Sequence, residues 1–363
     1  MMLIYTTLFG RLLMTNWITG YNNDLAQAAA IPIMTKNFQQ AAESIGFQVL
    51  NYTKFPGTDS YPKRRQNLLD TLIGQIQPGD TIVVQFPMFI GGVIQMDLID
   101  QLVAKPDVKV LAIIHDVPTW MIATSDGAYD LHDNWLNALR KVDGIIAANT
   151  KGAAKLRADG VTAPIVSLTV GDYLYHGPLH PKCFQKKLYY VGGRNVEGLD
   201  YHAATPLNLY TGHVSPEVAA NPSVNWHGRH PSDVILSSLD GGFGIVVSDN
   251  IKEEQQQNFR YYTQFNSPTK LSFYLAAGLP IVTMSRTPHA QWVKDRGIGL
   301  VVDDLNEIDH RLQQITESQY NAMLTAIQPW QTAISNGFFV KRALLAALGA
   351  VNLGITHKLA IHN

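Results

Sequence analysis

The sequence predicts an α/β protein built from two doubly wound units that face each other across a cleft. Short runs rich in Val and Ile alternate with longer amphipathic stretches, which is typical of parallel strands covered on both faces by helices. The chain has 363 residues, and at about 100–200 residues per domain this length favours two domains. Charged residues make up only 16%, against a usual share of about 25%, so long disordered tracts are not expected.

The first half of the chain carries six predicted strands, separated by segments with helix-like spacing of apolar residues. Turn signals agree with this assignment, because Pro78-Gly79 precedes the third strand and Pro62 lies where a helix is expected to begin. We therefore assign residues 1–170 to an N-terminal, Rossmann-like domain. Its predicted strands are Met2–Thr7, Phe47–Tyr52, Thr81–Phe86, Lys109–His115, Gly144–Ala148 and Ile165–Val170.

The second half repeats the alternation and is assigned to a C-terminal Rossmann-like domain over residues 171–335. Between the halves, Gly171–Gln185 holds two glycines and two prolines without a clean period, so it is the predicted linker. The predicted strands of this half are Leu188–Val191, Leu207–Tyr210, Gly244–Ser248, Pro280–Met284 and Gly299–Val302. The predicted helices are Ser232–Leu239, Pro268–Ala277, Thr287–Arg296 and Asn306–Trp330.

The remaining residues, 336–363, form the predicted tail. Over Asn336–Leu353, large apolar side chains recur at roughly helical spacing. Lys341 and Arg342 fall between them and are expected to be exposed. The tail is therefore predicted to be an apolar helix that packs on the rest of the protein.

Charge, cysteine content and hydropathy exclude several classes of protein. With 28 Lys and Arg against 29 Asp and Glu, the net charge of -1 lacks the positive excess on which nucleic-acid binders depend. A single cysteine, Cys183, excludes an intramolecular disulfide and a thiolate zinc cluster, and fits a reducing, cytoplasmic location. No secretory signal is evident, and no apolar stretch approaches the roughly 20 residues that span a bilayer, so a soluble protein is expected.

A candidate anion site lies at the start of one predicted helix. Ser267 before Pro268 is typical of a capping residue followed by proline in the first turn, and Gly278 and Pro280 end the helix. The free N–H groups at such a start attract anions, and Lys270 would add a positive charge one turn in. A diphosphate would suit this site. The alternative is an ordinary capped helix with a solvated lysine.

A second candidate lies where the fourth predicted strand ends, at His115-Asp116. Transfer of a group to an alcohol with inversion needs a base that accepts the hydroxyl proton, and a carboxylate or imidazole at this edge of the sheet could serve. The hypothesis is that Asp116 is this base. Alternatively, Asp116 caps the next segment and His115 hydrogen-bonds within the domain interface.

Neither a metal nor a redox cofactor is expected. His176 and His180 have the spacing of a helical zinc pair, but a glycine and a proline between them disfavour a helix. The sequence also lacks an Asp-x-Asp triplet of the kind that holds manganese or magnesium against a nucleotide diphosphate. The glycine runs at Gly192-Gly193 and Gly241–Gly244 suit either close approach to a ligand or plain turns, and neither matches the dinucleotide fingerprint.

Several dispersed motifs, in this order along the chain, resemble the two-domain glycosyltransferases of the GT-B architecture. More narrowly, they resemble the bacterial accessory-secretion glucosyltransferases that extend the sugar on serine-rich repeat adhesins, with related galactofuranosyltransferases close behind. The motifs are Thr15-Asn16, Ile114–Val117, Pro206–Thr211, Gly241–Val247, Lys270–Pro280 and Asn336–Phe339.

The resemblance implies a UDP-sugar donor whose nucleotide lies mainly on the C-terminal domain, with the N-terminal domain on the acceptor side. Helix N–H groups and basic side chains would neutralise the departing UDP, and the last helix would cross back to the N-terminal domain. The diphosphate is assigned to Asn266, Ser267, Thr269 and Lys270, the border of the nucleotide to Tyr210, a further positive contact to Arg194, and contacts from the first domain to Thr15 and Asn16.

The function that this resemblance implies is transfer of glucose or N-acetylglucosamine to a hydroxyl of a glycan on a serine-rich repeat glycoprotein. One alternative is a galactofuranosyltransferase of surface polysaccharide synthesis. Another is a non-catalytic, sugar-binding partner of a second transferase. Self-association into a homo-oligomer is also expected from the resemblance.

Overall fold

The computed structural model describes residues 14–21, 30–53, 60–88, 92–122, 134–254 and 259–355. Two six-stranded parallel sheets, one in each half of the chain, carry the architecture, and a small antiparallel pair is added to the second half. The predicted α/β class is confirmed.

The first sheet has the strand order β2-β1-β3-β4-β5-β6, and its central strands β3 and β4 are buried almost throughout, as expected for strands covered on both faces. Its order reverses between β1 and β3, which creates a crevice at the carboxyl ends of the strands. The elements are β1 (Asn16–Tyr21), α1 (Ala30–Glu43), β2 (Gln48–Tyr52), α2 (Pro62–Ile73), β3 (Thr81–Phe86), α3 (Gly92–Val103), β4 (Lys109–Ile114), α4 (Pro118–Ile122), α5 (Asn134–Lys141), β5 (Gly144–Ala147), α6 (Thr150–Ala158) and β6 (Ile165–Ser167).

The second half begins with β7 (Cys183–Val191), β8 (Val196–Leu199), β9 (Leu207–Tyr210), α7 (Pro216–Ala219), β10 (Val224–Trp226), α8 (Ser232–Ser238), β11 (Gly241–Ile245) and β12 (Ile251–Glu253). It continues with α9 (Phe259–Tyr262), α10 (Thr269–Ala276), β13 (Ile281–Met284), α11 (Ala290–Arg296), β14 (Gly299–Val302), a 3₁₀ turn (Leu305–Glu307), α12 (Ile308–Gln313), α13 (Glu317–Ser335) and α14 (Phe338–Asn352). Its sheet order is β10-β9-β7-β11-β13-β14, the order of dinucleotide-binding folds, so its ligand crevice is expected beyond the ends of β7 and β11.

The missing side chain at Gly244 brings α10 against the second sheet. A Cβ at this position in β11 would overlap the ring of Tyr274 on α10. The Tyr274 hydroxyl donates to the Tyr189 carbonyl oxygen and accepts from the Val191 N–H, each at 3.0 Å. The beginning of α10 is thereby fixed beside the carboxyl end of β7. Gly241 and Gly242 have positive φ at an irregularity in the β7–β11 pairing, so the backbone of the sheet requires glycine at these positions.

Several boundaries differ from the sequence prediction; for example, β11 begins three residues before the predicted Gly244–Ser248 strand, and β6 ends three residues before the predicted Val170. Met2–Thr7 lies outside the described residues, and the strand that pairs with β2 and β3 is β1. The single helix predicted over Asn306–Trp330 is divided into a 3₁₀ turn, α12 and α13. The capping box at Thr316 starts α13 as a new helix, and the capping box at Asp304 starts the 3₁₀ turn. Strand β7 begins at Cys183, inside the predicted linker.

The tail helix α14 packs against α1, β5 and β6 of the first half. Its buried side chains are apolar, among them Phe339, Val340 and Leu344. The Asp172 carboxylate accepts hydrogen bonds from the N–H groups of Phe339 and Val340 and so caps the helix. Arg342 is half-buried rather than exposed, because its guanidinium donates to the carbonyl oxygens of Ser167 and Leu168.

Within the described ranges, no single helix is long and apolar enough to span a membrane. The consecutive helices α13 and α14, bent by 58° where they meet, satisfy the length and composition requirements only when taken together.

Candidate active site

A cavity opens where the carboxyl ends of β7 and β9 meet the beginning of α10. We call it the α10 cavity; Gly192, Tyr210, Thr269 and Lys270 line it, and Ile33 on α1 adds a wall from the first half of the chain. Its volume of about 60 Å³ is well below the roughly 300–1,000 Å³ of complete ligand pockets. By itself it can hold only part of such a ligand.

Lys270 lines this cavity and contacts two side chains of the second half of the chain. Its Nζ lies 4.6 Å from the centre of the Tyr190 ring and 3.8 Å from Glu253 Oε1. The Tyr190 hydroxyl donates to the same Glu253 oxygen at 2.6 Å. The side chains of Lys270 and Glu253 are 22% and 7% exposed, so this ion pair is largely removed from water. The ammonium is thereby held at the start of α10, whose first N–H groups no side chain caps among the residues that the structure describes.

Ser267 does not cap α10, contrary to the sequence prediction, since Pro268 occupies the capping position. The Ser267 hydroxyl instead donates to the Ala148 carbonyl oxygen at 3.2 Å. It also lies 3.2 Å from Asn149 Nδ2 and 2.9 Å from His289 Nε2. Burial lowers the pKa of His289 to about 4, so its ring is neutral at pH 7. Ser267 therefore joins the two halves of the chain rather than facing the α10 cavity.

Asn149 completes this bridge from the first half. Its Oδ1 caps α6 by accepting the Gly152 N–H at 2.8 Å, while its Nδ2 donates to the Phe265 carbonyl oxygen at 2.8 Å and to Ser267. One buried amide therefore fixes the segment that leads into α10.

We expect Asn149→Asp to lower the free energy of unfolding by about 1–3 kcal/mol, because an aspartate keeps the cap of α6 but loses both donors to the second half. Asn149→Ala also loses the cap and should be less stable by about 1 kcal/mol more. Urea unfolding measures both values. If Asn149→Asp were as stable as the wild type, the hydrogen bonds from Asn149 to the second half would contribute nothing to the free energy of unfolding.

A second cavity lies between the carboxyl ends of β4 and β5 and the loop before α10. We call it the Asp116 cavity; its walls include His115, Asp116, Tyr262, Phe265 and Asn266. Its volume of about 10 Å³ is room for about one water or one hydroxyl group.

Asp116 is the ionisable group of this cavity whose pKa lies near neutral pH. Burial raises the pKa of its carboxyl to about 7, and the positive charge of Arg194 opposes part of that rise. The Tyr262 hydroxyl donates to Asp116 Oδ1. His115 differs, because burial lowers the pKa of its imidazole to about 3 and the ring stays neutral. Its Nε2 lies 2.8 Å from Gln85 Oε1.

The structure therefore divides the residues that the sequence singled out. Tyr210, Thr269 and Lys270 line the α10 cavity, and His115, Asp116 and Asn266 line the Asp116 cavity. Arg194 is exposed, and its charge acts on both Asp116 and Tyr190.

Thr15 and Asn16 are not brought to either cavity. The Thr15 N–H donates to Asp80 Oδ1 and Asn16 pairs with Thr81, the first residue of β3. Both therefore lie at the amino ends of the strands, about 20 Å from the opposite edge for strands of six residues. The sequence prediction placed Thr15 after a strand, whereas in the structure Thr15 directly precedes β1 and therefore lies at the amino edge of the sheet.

Several residues near the site were not found from the sequence. Glu253 pairs with Lys270, and no local pattern marks it because this contact joins distant positions. His227 stacks on Tyr210 with ring centres 4.5 Å apart and planes 14° apart. Arg229 and His230 also line the α10 cavity. No group of three or more His, Cys, Asp or Glu side chains in the described part of the chain is arranged to hold a metal ion.

Comparison with solved structures identifies the architecture. The lipopolysaccharide outer core galactosyltransferase WaaB in its apo form superposes with a TM-score of 0.55 at 10% identity, over 93% of this chain and 99% of that one. The apo structure of OtsA superposes with a TM-score of 0.53 at 11% identity, with the same coverage. At these identities the likeness shows the fold alone, which is the predicted GT-B architecture of two Rossmann-like domains facing a cleft.

Sequence comparison supplies the family. The chain is 28% identical to Glucosyltransferase 3 of Streptococcus gordonii over 341 residues, covering 91% of this chain and 97% of that protein. It is 25% identical to Glucosyltransferase 3 of Streptococcus parasanguinis over 336 residues, covering 90% and 96%. Residues 15–170 match the family described as "Glucosyltransferase 3-like, N-terminal domain", and residues 188–347 match "Glucosyltransferase 3-like, C-terminal domain". The protein is thus a glycosyltransferase that belongs to the Glucosyltransferase 3-like family.

Proposed function

We propose that this glycosyltransferase moves glucose or N-acetylglucosamine from a UDP-sugar to a hydroxyl of an N-acetylglucosamine-bearing glycan on a serine-rich repeat glycoprotein in the cytoplasm. One observation carries the proposal. The stretch from Tyr262 to Lys270 lines the Asp116 cavity with its first residues and the α10 cavity with its last. A single segment therefore places a candidate base beside a candidate diphosphate site.

The α10 cavity suits the donor. Lys270 and the N–H groups at the start of α10 provide positive charge for a diphosphate, and exposed Arg194 adds a second cation. Tyr210, stacked on His227, offers an aromatic surface to the uracil or ribose. These contacts stabilise the negative charge that develops on UDP as it leaves.

The Asp116 cavity suits the acceptor. In the proposed reaction the acceptor oxygen attacks the anomeric carbon of the donor, and Asp116 takes the hydroxyl proton. The bond between that carbon and the diphosphate oxygen breaks, and UDP leaves with the electron pair. Attack from the face opposite the leaving group inverts the anomeric configuration. The charges named above belong to the protein, so the proposal includes no metal and no cofactor; the UDP-sugar is a substrate.

The test is incubation of the purified protein with a panel of UDP-sugars and an N-acetylglucosamine glycoside acceptor, with EDTA present. UDP-glucose or UDP-N-acetylglucosamine is expected to give a disaccharide, detected by mass spectrometry, with inverted stereochemistry by NMR. Turnover of UDP-galactofuranose alone would instead assign a galactofuranosyltransferase. UDP binding without turnover of any donor would assign a non-catalytic sugar-binding protein.

The pH profile gives a further expected result. Since Asp116 must be ionised to accept a proton, kcat/KM should rise with pH and level off above the apparent pKa of about 7. The measurement is initial rate at low acceptor concentration from pH 5 to 9. A profile that is flat across this range would contradict Asp116 as the base.

A further inference from the structure

Gln85, on β3, sits in a hydrogen-bond arrangement that leaves its amide one orientation. The side chain is fully buried, and its Nε2 lies 2.7 Å from the Thr19 carbonyl oxygen and 3.1 Å from the Thr35 carbonyl oxygen. Carbonyl oxygens only accept hydrogen bonds, so the nitrogen of this amide must face them. Gln85 Oε1 is therefore directed at His115, and it can only accept.

This orientation decides which ring nitrogen of His115 carries hydrogen. Nε2 lies 2.8 Å from Gln85 Oε1, so it must be the N–H donor. A neutral imidazole has one N–H, and Nδ1 is then a bare lone pair. His115 is 4% exposed and packs on Phe38 with ring centres 4.9 Å apart, so the ring cannot turn freely.

Nδ1 has no hydrogen-bond partner among the described residues, and neither has Asn266 Oδ1. Both residues line the Asp116 cavity. With the Asp116 carboxylate, three acceptor groups therefore belong to residues that line one small cavity. A buried acceptor without a partner costs free energy, and an O–H group is the ligand that satisfies it in the space of about one oxygen atom.

We propose that Gln85 is a positioning residue for the acceptor. It fixes His115 as the Nε2–H tautomer, so that Nδ1 accepts a hydrogen bond from one acceptor hydroxyl, which fills the Asp116 cavity. The neighbouring hydroxyl that attacks stays outside that cavity, beside Asp116. The hydroxyl bound by Nδ1 keeps its hydrogen, and the proton released in the reaction goes to Asp116. This inference rests on the proposed function, but the tautomer can be measured without any turnover.

The first experiment is two-dimensional ¹H–¹⁵N NMR of the full chain with ¹⁵N-labelled histidine, with the His115 signals assigned by their loss in His115→Gln. The expected result is a protonated Nε2 and an unprotonated Nδ1 at pH 7. Signals of the opposite tautomer, or averaged signals from both, would overturn the proposal whether or not the protein transfers sugar.

The second experiment compares Gln85→Leu with Gln95→Leu. Gln95 is also a fully buried glutamine, on α3, and its amide oxygen accepts from the Met88 N–H rather than touching His115. In Gln85→Leu, kcat/KM for the acceptor should fall about tenfold while KM for the UDP-sugar stays constant. Gln95→Leu should keep the His115 tautomer and the acceptor kinetics. If kcat/KM for the acceptor fell by the same factor in both variants, the role of Gln85 would be structural only and the proposal would fail.

Monodeoxy acceptors distinguish a sugar hydroxyl from a bound water. One deoxy analogue, lacking the hydroxyl at Nδ1, should react about tenfold more slowly with the wild type and show no further loss with Gln85→Leu. If every analogue loses the same factor in the variant, the cavity holds a water and the proposal fails. Should Gln85→Leu not fold, His115→Asn and His115→Gln replace it. Asparagine places a polar atom near the position of Nδ1, so it should keep more acceptor activity than glutamine.

Discussion

Asp116→Asn is expected to lower kcat for sugar transfer by about 10²–10⁴-fold, since an amide cannot accept the acceptor proton. The amide is close to the carboxyl in size and can still accept the hydrogen bond from Tyr262, so the cavity should keep its shape. The affinity for UDP, measured by calorimetry, should stay within about twofold because Asp116 does not line the α10 cavity. Initial rates with saturating donor measure the loss.

The same variant should not lose stability at alkaline pH. Asp116 has a pKa of about 7 in the folded protein against 3.8 in the reference state, so folding binds a proton more tightly and stability falls as pH rises from about 4 to 7. Asparagine removes this dependence. Thermal unfolding should therefore show the variant at least as stable as the wild type at pH 8, with little difference at pH 4.

Asp97→Asn is the matched control, because Asp97 pairs with Arg65 on the helices α2 and α3 and lines neither cavity. Its transfer rate should equal that of the wild type. Full turnover in Asp116→Asn with an intact fold would remove Asp116 from the mechanism, and the base would have to be sought elsewhere in the cleft.

Lys270→Ala is expected to weaken UDP binding by at least about 30-fold, which corresponds to about 2 kcal/mol. Two effects combine. The diphosphate loses the cation at the start of α10, and the carboxylate of Glu253 is left near it without the ammonium 3.8 Å away. A buried charge that loses its partner repels a like charge strongly, because little water is present to screen it.

The double variant separates the two effects. Lys270→Ala with Glu253→Gln should bind UDP more tightly than Lys270→Ala alone, since the negative charge of Glu253 is gone. Lys252→Ala is the control; this lysine lies on the same short strand as Glu253 but is exposed. Calorimetry with UDP measures all four proteins. Wild-type affinity in Lys270→Ala would place the diphosphate elsewhere in the cleft.

The sequence predicted strands well where a short, mainly apolar run is limited by turn residues. β3, β9 and β14 have the predicted bounds for this reason, although Gln85 and Asn208 interrupt the first two. The long predicted helix over residues 306–330 was wrong because helical spacing continues across the capping box at Thr316, and periodicity alone does not detect this break.

In the candidate site, too, the sequence identified residues that stand beside local signals but not their contacts with distant segments. Lys270 and Asp116 stand beside strong local signals, a proline at a helix start and the end of a buried strand, so the sequence could single them out. Ser267 carried the same kind of signal but does not cap α10 as predicted, since its hydroxyl hydrogen-bonds to Ala148 and to His289. A capping pattern describes the chain near one residue and contains nothing about the other domain.

By itself, the sequence determined the α/β class and the two-domain organisation, and it predicted Lys270 and Asp116 as candidates to hold a diphosphate and to accept a proton. These follow from local periodicity and side-chain type. Only the tertiary structure decided that Thr15 lies at the amino edge of the sheet, that Glu253 faces Lys270, and that Gln85 Oε1 faces His115 Nε2. Strand register and burial determine these contacts, and both depend on segments far apart in the chain.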